Sequence, residues 1–165
     1  MKKRIYLGLV MLLSITLFSA CSTDDDSNSD NSLQIAQVQA VVESGTWRIT
    51  NFNDSGQDET SDFTGYNFTF ATGGTLTASN GTTTLNGTWS VTNDSDDDND
   101  SDDDSNDDND DDDIEFNIFF SVSTSNNFED LNDDWDIVST SATRIELIDI
   151  SSGNGGTDRL TFEKN

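Results

Sequence analysis

From Thr46 onward the apolar residues of this chain recur at every second position. In "GYNFTF" Tyr66, Phe68 and Phe70 alternate with polar neighbours, in "TLNGTWSV" Leu85, Trp89 and Val91 do the same, and in "IEFNIFF" it is Ile114, Phe116, Ile118 and Phe120. A period of two sends successive side chains to opposite faces, so each run predicts a strand with one buried and one wet face. Eight strands are predicted, near 46–53, 62–71, 74–79, 83–92, 114–122, 134–140, 143–150 and 157–163. Before them "LQIAQVQAVVE", residues 33–43, spaces Ile35, Val38 and Val42 at helical intervals and predicts a short helix. In "NNFEDL" a helical turn is expected, with Asn127 as its cap and Phe128 and Leu131 facing inward. Gly73-Gly74 and Asn80-Gly81 have the composition of hairpin turns, and "SSGNGG", residues 151–156, that of a looser loop.

Eight strands with mostly short links and no long helical crossovers favour an all-β, antiparallel, up-and-down meander that closes into a barrel and so protects its edges. A two-sheet β-sandwich fits the same strand count. The alternation stops once. Fourteen of the twenty-one residues from Asn93 to Asp113 are Asp, and the rest are Asn and Ser. Like charges extend such a segment, so it is expected to be a disordered loop. Lengthening a hairpin loop from about 4 to about 21 residues costs only roughly 1.5 kcal/mol, so the fold can carry the run without using it. As a calcium loop it fits poorly: with Asp96, Asp98 and Asp100 in the first liganding positions, Ser101 and Asp107 stand where an EF-hand needs Gly and Glu. Weak calcium binding by these carboxylates is the metal chemistry left open, beside a simple acidic brush that keeps a surface hydrated.

The N-terminus is built differently. Lys2, Lys3 and Arg4 precede an apolar stretch from Ile5 to Phe18, and the small residues Ser19 and Ala20 stand before Cys21. That is the layout of a secretory signal, residues 1–20, too short for a spanning helix. The single Cys placed there resembles the lipobox of bacterial lipoproteins, with Phe18 where Leu is usual. The resemblance implies cleavage before Cys21 and acylation (palmitate among the chains), which anchors a protein stably. "STDDDSNSDNS" follows, so residues 21–32 are expected to be a lipidated Cys and acidic tether. "STDDD" is similar to the export signal that sends lipoproteins of Bacteroidota to the outer face of the outer membrane. The folded domain is then residues 33–165, with the Asp-rich loop 93–113 inside it.

Charge and residue types narrow the chemistry. The chain carries 33 acids against 7 bases, a net charge of −26, and only Arg48, Arg144, Arg159 and Lys164 lie beyond the signal. Such a balance cannot neutralise phosphates, so nucleic acid is excluded as a partner, and an anionic membrane offers nothing beyond the lipid anchor. There is no His, and the one Cys is taken by the lipid. That excludes structural zinc and the Ser-His and Cys-His nucleophile pairs. Any enzyme would rest on carboxylates, for which "FEDLNDDWD" offers Glu129, Asp130, Asp133, Asp134 and Asp136. A glycosidase needs two carboxyls a fixed distance apart across a cleft, and these crowd into one loop, so no enzyme is expected.

"SGTWRIT" (44–50) and "NGTWSVT" (86–92) repeat one pattern, and with "FTFATGGTL" and "DWDIVSTSATRIEL" the body resembles small lipocalin-like lipoproteins over residues 45–163. The lipocalin Thr-Asp-Tyr motif is missing. The resemblance implies that Trp47 plugs one end of the barrel and that Arg159, on the last strand, packs over it through a cation–π contact. The expected function is a surface lipoprotein whose barrel is a binding or accessory module. Its ligand would be small and apolar or carbohydrate-like, lined by aromatics such as Tyr66, Phe68, Trp89 and Phe116. An eight-stranded barrel can also be filled by its own side chains and act through its outer surface. A calcium-responsive surface protein is the remaining alternative.

Overall fold

The period-two runs close into an antiparallel barrel in the computed structural model, which describes residues 27–93, 114–151 and 156–165, with side chains from Asn31 onward. A helix, α1 (Ser27–Val42), precedes the strands. These are β1 (Thr46–Asp54), β2 (Gln57–Asp58), β3 (Asn67–Ala71), β4 (Thr75–Ser79), β5 (Thr84–Asn93), β6 (Ile114–Phe120), β7 (Asp133–Thr140), β8 (Arg144–Ile150) and β9 (Thr157–Lys164). The sheet order is β2-β1-β3-β4-β5-β6-β7-β8-β9, and β9 pairs back onto β1. The two-residue β2 only continues the hairpin of β1, so β1 and β3 to β9 form a closed ring of eight. That closure excludes the sandwich. Among the described residues no helix is long and apolar enough to cross a membrane.

The ring has two distinct ends. At the helix end β1 starts, β9 finishes, and Val38 and Val42 of α1 join the core. At the loop end two helical turns, Thr60–Phe63 and Glu129–Leu131, turn Phe63, Phe128 and Leu131 inward. Between them the interior is packed with rings. Phe68 and Phe70 each meet Phe162 edge-on at 5.4 and 5.5 Å, Phe70 meets Phe116 at 5.6 Å, and Phe116 stacks on Trp89 at 5.8 Å. Offset and edge-to-face pairs of this kind are the favoured aromatic geometries. Where β5 passes β6 at Gly87, a Cβ would stand 2.4 Å from the Phe119 carbonyl, so only glycine allows that approach.

Three expectations are corrected by the packing. The strand expected over 62–71 begins only at Asn67. β1 pairs with β3 at Thr46–Thr69 and Trp47–Phe68 alone, while β9 lies along its other edge and β2 joins it only at Asn53 and Asp54, so residues 62–66 have no strand beside them. They turn instead, the Thr60 hydroxyl accepts the Phe52 N–H at 2.8 Å, and Phe63 packs edge-on against Phe52. The helix reaches back to Ser27, into the stretch read as tether, and buries Asn31 in line with Ile35, Val38 and Val42. Asn127 does not cap the 129–131 turn, which starts from Phe128 with no side-chain cap; just before it, Asn126 Oδ1 accepts the Phe128 N–H at 3.0 Å.

The fourth correction concerns the barrel plug. Trp47 is wholly buried, and it is the cross-strand partner of both Phe68 and Lys164. Its Nε1 donates to the Val42 carbonyl at the end of α1, at 2.8 Å. The cation over its ring is Lys164, with Nζ 5.6 Å from the centroid and donating to Ser44 Oγ at 2.8 Å. Arg159 lies exposed on the outer wall. Alternation explains the exchange: Lys164 has the parity of the inward Leu160 and Phe162, whereas Arg159 has the opposite parity.

The acid run joins β5 to β6, and its flanks are direct partners: Asn93 faces Ile114, Val91 faces Phe116 and Trp89 faces Ile118. Residues 94–113, including Asp96, Asp98 and Asp100 and the disorder expected of them, lie outside the described residues, as does Cys21.

Two outcomes follow from this packing. Replacing 94–113 by Asn-Gly should keep the fold and raise Tm by roughly 5 °C or more, since the loop closes at about 2 kcal/mol less entropic cost. Loss of the folded circular-dichroism signal would show that the run is needed for closure. Lys164→Met should cost about 0.5–1 kcal/mol in urea melts, while Arg159→Met stays within about 0.5 kcal/mol of the parent. Equal losses would return Arg159 to the plug.

Candidate functional site

The four aromatics expected to line the barrel mouth do not share one surface. Phe68 and Phe116 are wholly buried and packed against other rings, as core. Trp89 is 5% exposed and donates from Nε1 to the Ala71 carbonyl at 3.1 Å, bordering a groove of about 440 Å³ at the helix end, between Gln39 and Glu43 of α1 and Thr72, Gly73 and Gly74. Tyr66, half-buried, opens onto the loop end.

There a cleft of about 290 Å³ lies among Asp62, Tyr66, Thr83, Leu85, Ser125, Asn126, Asn127 and Phe128. Three separate loops build it, each fixed by its own local bonds. The Tyr66 N–H donates to the Phe63 carbonyl at 3.1 Å, ending the turn that presents Asp62. Asn80 Oδ1 accepts the N–H groups of Thr82 and Thr83 at 3.0 and 2.8 Å, shaping the β4–β5 hairpin. The Glu129 N–H donates to the Asn126 carbonyl at 2.8 Å. The Tyr66 ring stands edge-on to Phe128, 4.9 Å away at 72°, which joins the first loop to the third. No motif announced Asp62, Thr83, Ser125, Asn126 or Asn127, because the cleft exists only once these loops converge.

Nearby, Asp133, Asp149 and Asp158 bring carboxylate oxygens within 4.8 Å of one another, and all three are half-buried. Asp149 and Asp158 are cross-strand partners on β8 and β9, and Asp133 opens β7. Asp158 Oδ1 accepts the Ser55 N–H at 2.7 Å, and Asp149 Oδ2 accepts the Ser151 hydroxyl at 2.7 Å. Burial first, then the neighbouring Asp134 side chain and the charge of Asp149, push the Asp133 carboxyl up to about 7. Glu59 and Asp130 are also raised, chiefly by desolvation and then by surrounding carboxylates, Asp54 and Asp62 among them. Three carboxylates form part of a hard-cation donor set, short of the six to eight oxygens calcium takes. Of the carboxylates considered for catalysis, Glu129 and Asp130 sit in the turn and Asp134 and Asp136 are exposed on β7. Asp133 is grouped with Asp149 and Asp158, which lie far from it in sequence.

No protein-family model matches the chain, and no curated protein does. Among solved structures it is similar to a DUF4847 family protein from Bacteroides vulgatus ATCC 8482, with 21% identity and a TM-score of 0.45 over 78% of this chain and 97% of that one.

Asp133 gives a signed pH dependence. Its folded value lies near 7 against an ordinary 3.8, so the folded state holds the proton more tightly. Stability from this group therefore falls as pH rises through that window and levels off above it. Asp133→Asn keeps the acceptor for the Asp134 N–H while removing the charge. Thermal melts should show a higher Tm than the parent at pH 8 and little difference at pH 4; an equal effect at both would place the carboxyl in an ordinary environment.

Proposed function

We propose that this protein is a lipid-anchored outer-membrane protein of the cell surface whose barrel is a binding module, with the loop-end cleft as its site. A small β-barrel is consistent with a binding or accessory role. The observation that carries the reading is the filled interior: with Phe68, Phe116 and Phe162 buried at the centre, a ligand must be met at the surface. Loops held by a rigid scaffold are where small barrels place such contacts. The cleft at Tyr66 has that construction. Helix α1 follows the acidic stretch after Cys21 and closes the opposite end, so a tether continuing from it leaves the cleft facing away from the membrane. The acidic run serves as a hydrating brush that attracts divalent cations weakly.

Anchoring and binding are tested apart. Cys21→Ser should abolish incorporation of labelled palmitate and release the protein from the membrane fraction, and labelling that persists would remove the lipoprotein reading. For binding, amide shifts induced by a small ligand should centre on Tyr66, Thr83 and residues 125–128. Shifts centred on the helix-end groove at Glu43, Trp89 and Ser90 would move the site there.

A further inference from the structure

Resting on the cleft as the binding site, we propose that it takes a neutral, hydroxyl-rich ring: a saccharide unit, and neither an acid nor a fatty chain. Its volume of about 290 Å³ lies at the small end of ligand sites, enough for a short saccharide and too shallow to swallow an acyl chain. The polar lining consists of five neutral side chains, those of Tyr66, Thr83, Ser125, Asn126 and Asn127, and one carboxylate, Asp62. Hydroxyls and amides both donate and accept, which matches a ligand whose own hydroxyls do the same.

Several of these groups are free to engage. Among the described residues the Tyr66 hydroxyl, the Thr83 hydroxyl, the Asp62 carboxylate and the Asn127 amide have no hydrogen bond within the chain. Asn126 Oδ1 is committed to Phe128, so its Nδ2 is what it offers, and Ser125 Oγ shares a bond with Ser123 at 3.1 Å. Leu85 and Tyr66 add half-buried apolar surface for the C–H face of a ring.

Charge excludes the competitors. Asp62 lies among Asp54, Glu59 and Asp130, so an anionic ligand meets repulsion. Arg159 stands on β9, four strands around the ring from β5, and offers no nearby relief. A cation is drawn instead to Asp133, Asp149 and Asp158, beside Ser55 and Ser151 and outside the cleft lining.

The test uses the full chain in calorimetry and saturation-transfer NMR. The probes are neutral disaccharides of glucose, galactose, mannose and N-acetylglucosamine, with digalacturonate, a glucosamine dimer and dodecanoate. A neutral disaccharide should bind, the acids should not, and Asn127→Ala, at an exposed position, should weaken binding about tenfold with Tm unchanged. Binding of an acid, or tighter binding of the glucosamine dimer, that is lost in Asn127→Ala overturns the ligand class and keeps the cleft. Neutral binding untouched by both Asn127→Ala and Tyr66→Ala overturns the cleft itself. Silence across all the probes overturns the proposal.

Discussion

The bond from the Trp47 indole to the Val42 carbonyl is the constraint on which this architecture turns. It satisfies a carbonyl at the end of α1 that the helix cannot satisfy itself. It does so from the residue where β1 meets β3 on one side and β9 on the other. Such a bond contributes about 1 kcal/mol net, yet leaving the buried carbonyl bare would cost about 1–3 kcal/mol. Lys164 adds to the same junction by lying over the ring and reaching Ser44. Gly45 makes room for it, since a Cβ there would fall 2.6 Å from Lys164 Cε. Helix end, first strand and last strand thus meet in one small group of residues, and the ring closes there.

Closing the helix end and filling the centre have one consequence for function. The other two tryptophans follow the same rule as Trp47: Trp89 donates to the Ala71 carbonyl, and Trp135 to the Leu131 carbonyl at 3.2 Å. Trp135 thereby ties its strand to the turn that crosses the loop end, and Trp89 ties β5 to the last residue of β3. Phe128 extends this at the loop end, meeting Phe63, Tyr66, Phe68 and Phe120. An interior knitted in this way has no room for a guest, and what the barrel supplies instead is a stiff support for three polar loops.

The strands were legible because one face of each is wet. β6 shows it most plainly, with Ile114, Phe116, Ile118 and Phe120 buried and Phe119 turned out at 55% exposure. The readings that failed did so where periodicity is not the deciding force. Residues 62–66 have no partner strand, strand content being a property of pairs, and Phe63 is out of step with Tyr66, Phe68 and Phe70. Asn31 is polar and buried, so the helix's first turns carried no apolar signal. Arg159 was assigned by analogy to a last-strand basic residue, although parity with Leu160 and Phe162 points to Lys164. Neither the cleft nor the Asp133, Asp149, Asp158 group could be read at all. Their members are separated by loops, and it is the ring's register that sets Asp149 opposite Asp158.

Charge is sorted along the barrel, and that sorting bears on what can approach each end. Of the four basic residues among the described residues three stand at the helix end, where Arg144 bridges Glu146 and Glu163 at 2.8 and 2.9 Å and Arg48 reaches Glu163 at 3.4 Å. These exposed pairs add little stability one by one, because water and salt screen them. Their effect is to spend positive charge where the acid run also begins and ends. The loop end keeps its carboxylates without such compensation, and there burial above all, with the Asp134 side chain and the charge of Asp149 added, pushes the Asp133 carboxyl up to about 7. Repulsion of this size is tolerable because the ring has no open edge to pull apart. A filled barrel with a negative rim repels anions from its loops, and that repulsion comes from the field of the fold as a whole and not from any one contact in the cleft.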